Sequence, residues 1–361
     1  MSKIAVVGAG VWAYRREIAH ITGCEPVYVK HTAMPPAGVK AVAGWGYKPV
    51  LKDPRAYAQR HGLQYLAFED GFLRSVYPGP TSPALSLFFD DTGMYYDRYR
   101  TSRLDRLIEQ RKGLDNRSVA SQIIAQLKTL RLSKYNAFDP DHVPSSLAGI
   151  SPGTAILVVD QTQGDVSISG AGADPDTFHA MMSGVLSEAG ERPILVKVHP
   201  EVVSGRKSGC VPHSVLSDAR VRVLSEPVCP WFLLDLAEEV HCVSSQLGLE
   251  ALMAGCAVHC WGRPFFSQRG LTMDRGASDA PQPALAALDD LIAAVYLDYA
   301  FYFDAWTRQP ISFFRACEQL AYLRQKLPQQ APSWQNMLPR ELHFLMHRLF
   351  VLPERPVVSR V

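Results

Sequence analysis

The stretch AILVVDQTQGDVS, Ala155 to Ser167, decides the architecture. Five apolar, mostly β-branched residues, Ala155 to Val159, stop abruptly at Asp160-Gln161-Thr162-Gln163-Gly164-Asp165, a small polar run containing a glycine. A short apolar run ended by turn chemistry predicts a strand buried on both faces, as in a parallel sheet covered by helices. Outward from it the rhythm repeats: helix Asp174 to Ala189, strand Pro193 to Val198, strand Val221 to Leu224, helix Trp231 to Ala237. Strand Glu239 to Val243, helix Gln246 to Ala254 and strand Ala257 to Trp261 complete the half. Upstream, strands Ile4 to Val7, Pro26 to Val29, Val39 to Gly44 and Gln64 to Phe68 alternate with helices at Trp12 to Ile21 and Pro54 to His61. A charged helical stretch, Leu104 to Leu132, leads to an exposed connection at Ser133 to Asn136 and DPDHVPSS. Two Rossmann-like α/β halves are expected, over 1–148 and 149–310. A helical tail over 311–361 follows, packed across the domains or touching membrane.

Composition narrows the class. The 361 residues carry 37 Lys and Arg against 35 Asp and Glu, a net charge of +2, so no global basic field argues for nucleic acid. Seven cysteines show no CxxC pair, and no run reaches the 18 apolar residues of a membrane span, which together predict a cytosolic chain without structural metal. Cys256, His259 and Cys260 have ligand character, but their apolar neighbours read as a buried strand. The tail sequence PRELHFLMHRLFVL mixes leucines and phenylalanines with Arg340, His343, His347 and Arg348, suiting an anionic membrane surface or a packed helix.

In α/β sheets ligands sit beyond the carboxyl ends of the strands, so the residues after each strand carry the chemistry. Gly8-Ala9-Gly10-Val11-Trp12-Ala13 fits a dinucleotide fingerprint, but the next strand ends in Tyr28-Val29-Lys30, with no acid for a ribose; a tight glycine turn is the better reading. Glu69 ends a strand and suits either a general base or an ion pair with Arg74, while Asp70-Gly71 suits a turn with Gly71 at positive φ. Leu85 to Asp97 reads as a hairpin turning at Asp91-Thr92-Gly93, which explains Asp90 and Asp91 without a metal. In the second half Asp160 closes its strand while Asp165, after Gly164, can approach a ligand. Lys197 and His199, before Pro200, suit a phosphate. Ser244 and Ser245 open a helix whose N–H groups suit the same anion, and Glu250 lies within reach of ribose hydroxyls. A single phosphate neutralised by protein groups fits this set.

These residues resemble the capsule-assembly β-Kdo transferases of the KpsC type. The resemblance rests on GWGYKP (44–49), EDGFLRS (69–75), PALSLFFDDTGMYYD (83–97), LSKYN (132–136), VVDQTQGDVSI (158–168), KVHPEVVSGRKSG (197–209), SSQLGLEALMAGCAVHCWGRPFF (244–266) and GLTMDR (270–275), in order. It implies a GT-B fold and a metal-independent, cofactor-free enzyme at the inner face of the cytoplasmic membrane, in contact with that membrane or with capsule-assembly proteins. Such an enzyme takes Kdo from CMP-β-Kdo with retention and delivers it to a β-Kdo-primed, phosphatidylglycerol-type lipid. It makes 1–148 the acceptor domain and 149–310 the CMP-sugar domain, Asp165 the key carboxylate and Asp160 a support; it puts Glu69 across the cleft, where placement at a strand end suits a base. Gln161, Lys197, His199, Pro200, Ser244, Ser245, Gln246 and Glu250 hold the nucleotide. Ser267-Gln268-Arg269 departs from the family pattern, and the single module resembles the first of two in longer relatives. Another GT-B enzyme, an epimerase or hexose transferase, or a non-catalytic assembly subunit, is the alternative.

Overall fold

The computed structural model describes residues 2–47, 53–79, 82, 84–203, 205, 207–212, 217–276, 281–328 and 352–353. The chain divides into two compact units, Met1–Asp91 with Lys134–Ala137 and Ala300–Val361, and Thr92–Ser133 with Phe138–Tyr299. The division therefore does not fall at a single point near residue 148. The helices Arg103–Arg111 and Arg117–Thr129 join the second unit, where Arg111 grips Asp298 through two 2.6 Å bonds and Asn116 Nδ2 donates to Asp290 at 2.8 Å. Past residue 300 the described chain returns to the first: Arg308 forms a buried ion pair with Glu17, and helix Phe313–Lys326 is capped by Ser312. The tail helix read at 339–352 lies almost wholly outside the described residues.

The first unit holds β1 (Lys3–Val6), β2 (Glu25–Tyr28), β3 (Val39–Trp45), β4 (Gln64–Asp70) and β5 (Ser86–Asp90). The second holds β6 (Ala155–Val159), β7 (Ile194–Lys197), β8 (Val221–Leu224), β9 (Ala237–Cys242), β10 (Ala257–Cys260) and β11 (Met273–Asp274). β12 (Phe301–Phe303) and β13 (Pro310–Ile311) belong to the first again.

In the first unit the sheet order is β13-β12-β5-β4-β3-β1-β2. Strands β1 to β4 are parallel, but β5, β12 and β13 add antiparallel, so one side of the expected parallel sheet is mixed. The hairpin read over 85–97 does not form: β5 pairs with β4 and β12, and no strand is formed over 92–97. Strand alternation buries both faces, Ile4 and Val6 with helix Arg15–Thr22 on one side, Ala5 and Val7 with helix Pro54–Arg60 on the other. Gly8 takes φ +108° where β1 turns into the helix Ala9–Trp12, the tight glycine turn expected.

The second sheet, β11-β10-β9-β6-β7-β8, is parallel throughout. Its central strand β6 is buried at all five positions, as AILVV requires. Helix Pro175–Glu188 covers one face with Phe178, Met181, Met182 and Val185. Its start is set by a reciprocal Asp174/Thr177 capping box and Pro175 at the first position.

Candidate functional site in the second unit

Three loops after β6, β7 and β9 carry the candidate residues. After β6 the two aspartates have separate tasks. Asp160 is 6% exposed, and its Oδ1 accepts N–H bonds from Gln161 (2.8 Å), Cys210 (2.9 Å) and Val211 (2.9 Å). This carboxylate fastens loop 208–211 against loop 161–163, where Gln163 N donates to the Ser208 carbonyl at 2.9 Å and Cys210 N to that of Gln161 at 3.0 Å. Gly209 is compulsory there, since a Cβ would overlap Asp160 Oδ2. Gly164 then takes φ +76° and turns the chain so that Asp165 caps helix Val166–Gly170, its Oδ1 accepting from Ser167 N at 2.9 Å. Half-buried Asp165 keeps Oδ2 outside that cap.

Gln161 ties this loop to the next. It is 4% exposed; its Oε1 accepts from Ser244 N (2.9 Å), and its Nε2 donates to Ser244 Oγ (2.8 Å). Ser167 Oγ meets Ser244 Oγ at 3.0 Å, so hydroxyls from two loops and the Gln161 amide form one polar cluster beside Asp165. Gln161 is thus first a brace for the site. Ser245 Oγ accepts from Leu247 N at 3.3 Å just ahead of helix Leu247–Ala254, whose N-cap residue is Gln246 and which ends at Gly255 with φ +91°.

After β7 stand a cation and an imidazole. Lys197 is half-buried, and its ammonium forms no hydrogen bond or ion pair among the described residues. Burial lowers its pKa, and the Glu250 carboxylate acts in the opposite sense. An ammonium short of solvent and of partners is a site for an anion. His199 Nδ1 accepts from Glu201 N at 3.1 Å, which puts the proton of the neutral ring on Nε2, and the same contact caps helix Pro200–Val203.

Glu250 is 2% exposed. Both its oxygens accept from Ser133 Oγ, at 2.8 and 2.9 Å, and Gln246 Nε2 donates to Oε1 at 3.3 Å. Its bonds thus run to protein groups, and its charge acts on Lys197. Ser133 carried no assigned role in the sequence; its only signal was the LSKYN motif. The segment Ser267-Gln268-Arg269 supports a loop: Arg269 is 2% exposed, bonded to the carbonyls of Phe265 and Ala284 and paired with Asp105.

Glu69 belongs to the first unit, at the end of β4. Arg74 pairs at 2.5 Å with Asp70, so the ion pair that would have explained Glu69 is made by its neighbour. Arg74 Nη1 and Nη2 also donate to the carbonyls of Tyr77, Ser82 and Gly79, organising that loop. Gly71 lacks the positive φ expected of it. Its small size is needed because a Cβ would overlap Ser86 Oγ.

Among the described residues, Glu239, His241 and His259 bring metal-ligand atoms within 4.8 Å of one another. The two rings stack at 4.3 Å, and their Nδ1 atoms accept from Trp261 Nε1 (3.1 Å) and Arg275 Nε (3.3 Å). Each neutral ring therefore carries its proton on Nε2, facing Glu239 Oε2 at 3.3 and 3.7 Å. With Arg192 also on Glu239, the group is satisfied as a hydrogen-bonded network, and no imidazole lone pair faces an ion.

Two Rossmann-like sheets, with polar loops gathered beyond the carboxyl ends of β6, β7 and β9, are the construction of GT-B-type glycosyltransferases. The chain belongs to the Capsule polysaccharide biosynthesis protein family, whose profile matches residues 40–142 and 127–302. It is 35% identical over 322 residues to the capsule polysaccharide modification protein LipA of Neisseria meningitidis serogroup A, covering 86% of this chain and 45% of LipA, so it spans about half of that relative. It is 31% identical to the lipopolysaccharide-processing protein LpsZ of Rhizobium meliloti, covering 84% of this chain and 69% of LpsZ. Among solved structures, the β-Kdo 2,4 transferase of Thermosulfurimonas dismutans KpsC is 35% identical with a TM-score of 0.78, covering 88% of this chain and 98% of that one. The β-Kdo 2,7 transferase of the same KpsC shares the fold, with a TM-score of 0.63 at 22% identity over 90% of this chain and 100% of that one.

Proposed function

We propose that this chain is a retaining β-Kdo glycosyltransferase, moving Kdo from CMP-β-Kdo to a β-Kdo-primed lipid in capsule linker synthesis. Similarity to the KpsC 2,4 transferase across nearly all of that chain supports the transfer and favours a 2,4 linkage. The observation that carries the chemistry is the division of labour after β6: Asp160 is consumed by backbone N–H groups, whereas Asp165 is held by one cap bond beside a polar cluster.

In the first displacement Asp165 Oδ2 bonds to the anomeric carbon, the carbon–oxygen bond to the phosphate breaks, and CMP departs with the electron pair. Lys197, His199 and the Ser244-Ser245 helix start receive the phosphate charge, so the step needs no metal. In the second, the acceptor hydroxyl attacks the same carbon, its proton passes to Glu69 or another base, and the Asp165 carboxylate is released. Two inversions give retention. Work on a lipid acceptor places the protein peripherally at the inner face of the cytoplasmic membrane; no helix among the described residues is long and apolar enough to cross it.

Intact-mass measurement after exposure to CMP-Kdo generated in situ, with linkage analysis on a synthetic Kdo-lipid, tests the reading. The expected result is a one-Kdo adduct in the wild type and none in Asp165→Ala. An Asp165→Ala protein that still forms the adduct and turns over normally defeats the nucleophile assignment, and tighter binding of UDP than CMP defeats the donor.

A further inference from the structure

Helix Val166–Gly170 starts at Asp165, and its far end is held by two segments distant in sequence. Arg98 N donates to the Gly170 carbonyl and Arg263 N to that of Ala171, each at 2.9 Å. The Tyr96 backbone lies so close to Gly170 that a Cβ there would overlap its carbonyl oxygen, with the carbonyl carbon at 3.1 Å and Cδ2 at 3.3 Å. Gly170 has no positive φ to explain a glycine, and in a helix alanine is the better former. What the position requires is the absence of a side chain.

The segment that approaches Gly170 is itself anchored. Arg98 is 6% exposed, and its Nη1 lies 3.2 Å from Asp105 Oδ1. That carboxylate closes a capping box with Ser102 ahead of helix Arg103–Arg111 and also pairs with Arg269. Neighbouring Tyr95 sets its ring edge-to-face on Phe265, with centroids 5.6 Å apart. From Gly170 the path to Asp165 is short and bonded. Ala171 N donates to the Ser167 carbonyl at 3.0 Å, Ser167 N to Asp165 Oδ1 at 2.9 Å, and Ile168 N to the Asp165 carbonyl at 3.1 Å. A five-residue helix has little slack, so a shift at one end reaches the other.

We propose that Gly170 is a positioning residue for Asp165: carrying no side chain, it lets the Tyr96–Arg98 segment close on the helix end, and that clamp sets where Asp165 Oδ2 points. The inference rests on the reading of Asp165 as nucleophile. Gly170 stands at the opposite end of the helix from Asp165, and its effect falls on the bond-forming step and leaves nucleotide binding intact.

Time-resolved intact-mass measurement of the Kdo adduct, steady-state kcat and calorimetric titration of CMP, all on the full chain, test it. Relieving the overlap that Gly170→Ala introduces takes a shift of about 1 Å between backbone segments. Misplacing a reacting atom by that much costs about a hundred-fold in rate. Adduct formation and kcat are therefore expected to fall about a hundred-fold in Gly170→Ala, with CMP affinity unchanged. A folded Gly170→Ala protein that forms the adduct at the wild-type rate overturns the inference. So does CMP affinity falling in step with the rate, the sign of a general disturbance of the unit. If Gly170→Ala does not fold, Arg98→Met takes its place: it keeps the apolar bulk, releases the segment from Asp105, and should slow adduct formation without weakening CMP binding. A wild-type adduct rate in Arg98→Met would then overturn the clamp. Should the wild type transfer Kdo with no adduct, the nucleophile reading is what fails, and the inference falls with it.

Discussion

Removing the Asp160 side chain separates the two aspartates after β6. In Asp160→Ala, the N–H groups of Gln161 and Val211 lose their acceptor and that of Cys210 keeps only the Gln161 carbonyl, in a site where the carboxylate is 6% exposed. An unsatisfied buried N–H costs about 1–3 kcal/mol, but water entering the vacated volume and relief from burying a charge offset part of the total. A net loss of about 3–5 kcal/mol is expected. For the roughly 200 residues of the second unit that corresponds to a melting temperature about 6–20 °C lower. Asp160→Asn keeps one acceptor oxygen without the charge and should lose about half as much. Asp165→Ala removes one cap bond from a five-residue helix, about 1 kcal/mol and a shift of a few degrees, while abolishing transfer. Calorimetry or circular-dichroism melts, paired with transfer assays on the three variants, give the comparison. An Asp160→Ala protein melting within about 2 °C of wild type, or an Asp165→Ala protein destabilised as strongly as Asp160→Ala, would refute the division of labour.

Acid should act through His241, whose pKa burial and the neighbouring His259 push down to about 4. The folded state then binds fewer protons than the unfolded chain, so this stability is fully present above pH 6.5 and is lost as pH falls through that value toward 4, up to about 3 kcal/mol. His241→Asn should flatten the pH 5 to 7.5 difference in melting temperature, and an unchanged difference would assign it elsewhere. In the first unit, Asp70→Ala strands the Arg74 guanidinium and should cost about 3–5 kcal/mol, whereas Glu69→Gln should melt like wild type and lose transfer rate. Comparing melts with single-turnover rates checks both, and full activity in Glu69→Gln excludes it as the base. Incubation with a strong chelator followed by dialysis should leave CMP-Kdo turnover unchanged; lost turnover restored by a divalent ion would contradict phosphate neutralisation by protein groups alone.

Local pattern made much of this architecture legible. AILVV reads as a strand buried on both faces because every residue is apolar, and Gly8 and Gly164 read as turns because a left-handed backbone favours glycine. The mixed edge of the first sheet was not legible. PALSLFFDDTG looks like half of a hairpin, but β5 takes its partners from β4 and from β12, more than 200 residues onward, and the nearest turn does not record such pairing. The unit boundaries were hidden for the same reason, since helices 103–129 join the second unit through Asp290 and Asp298.

For the candidate site, the sequence by itself determined which residue types follow each strand: Asp160 and Asp165, Lys197 and His199, Ser244, Ser245 and Glu250. Strand ends and glycine turns are local, and sheet topology places strand ends together. Only the tertiary structure decided which carboxylate is tied down, that Asp70 and not Glu69 holds Arg74, and that Ser133 bridges the oxygens of Glu250. Those outcomes depend on hydrogen bonds between residues 50 to 117 positions apart or on the side a strand residue faces, and the free energy of such contacts exists only once the chain has packed.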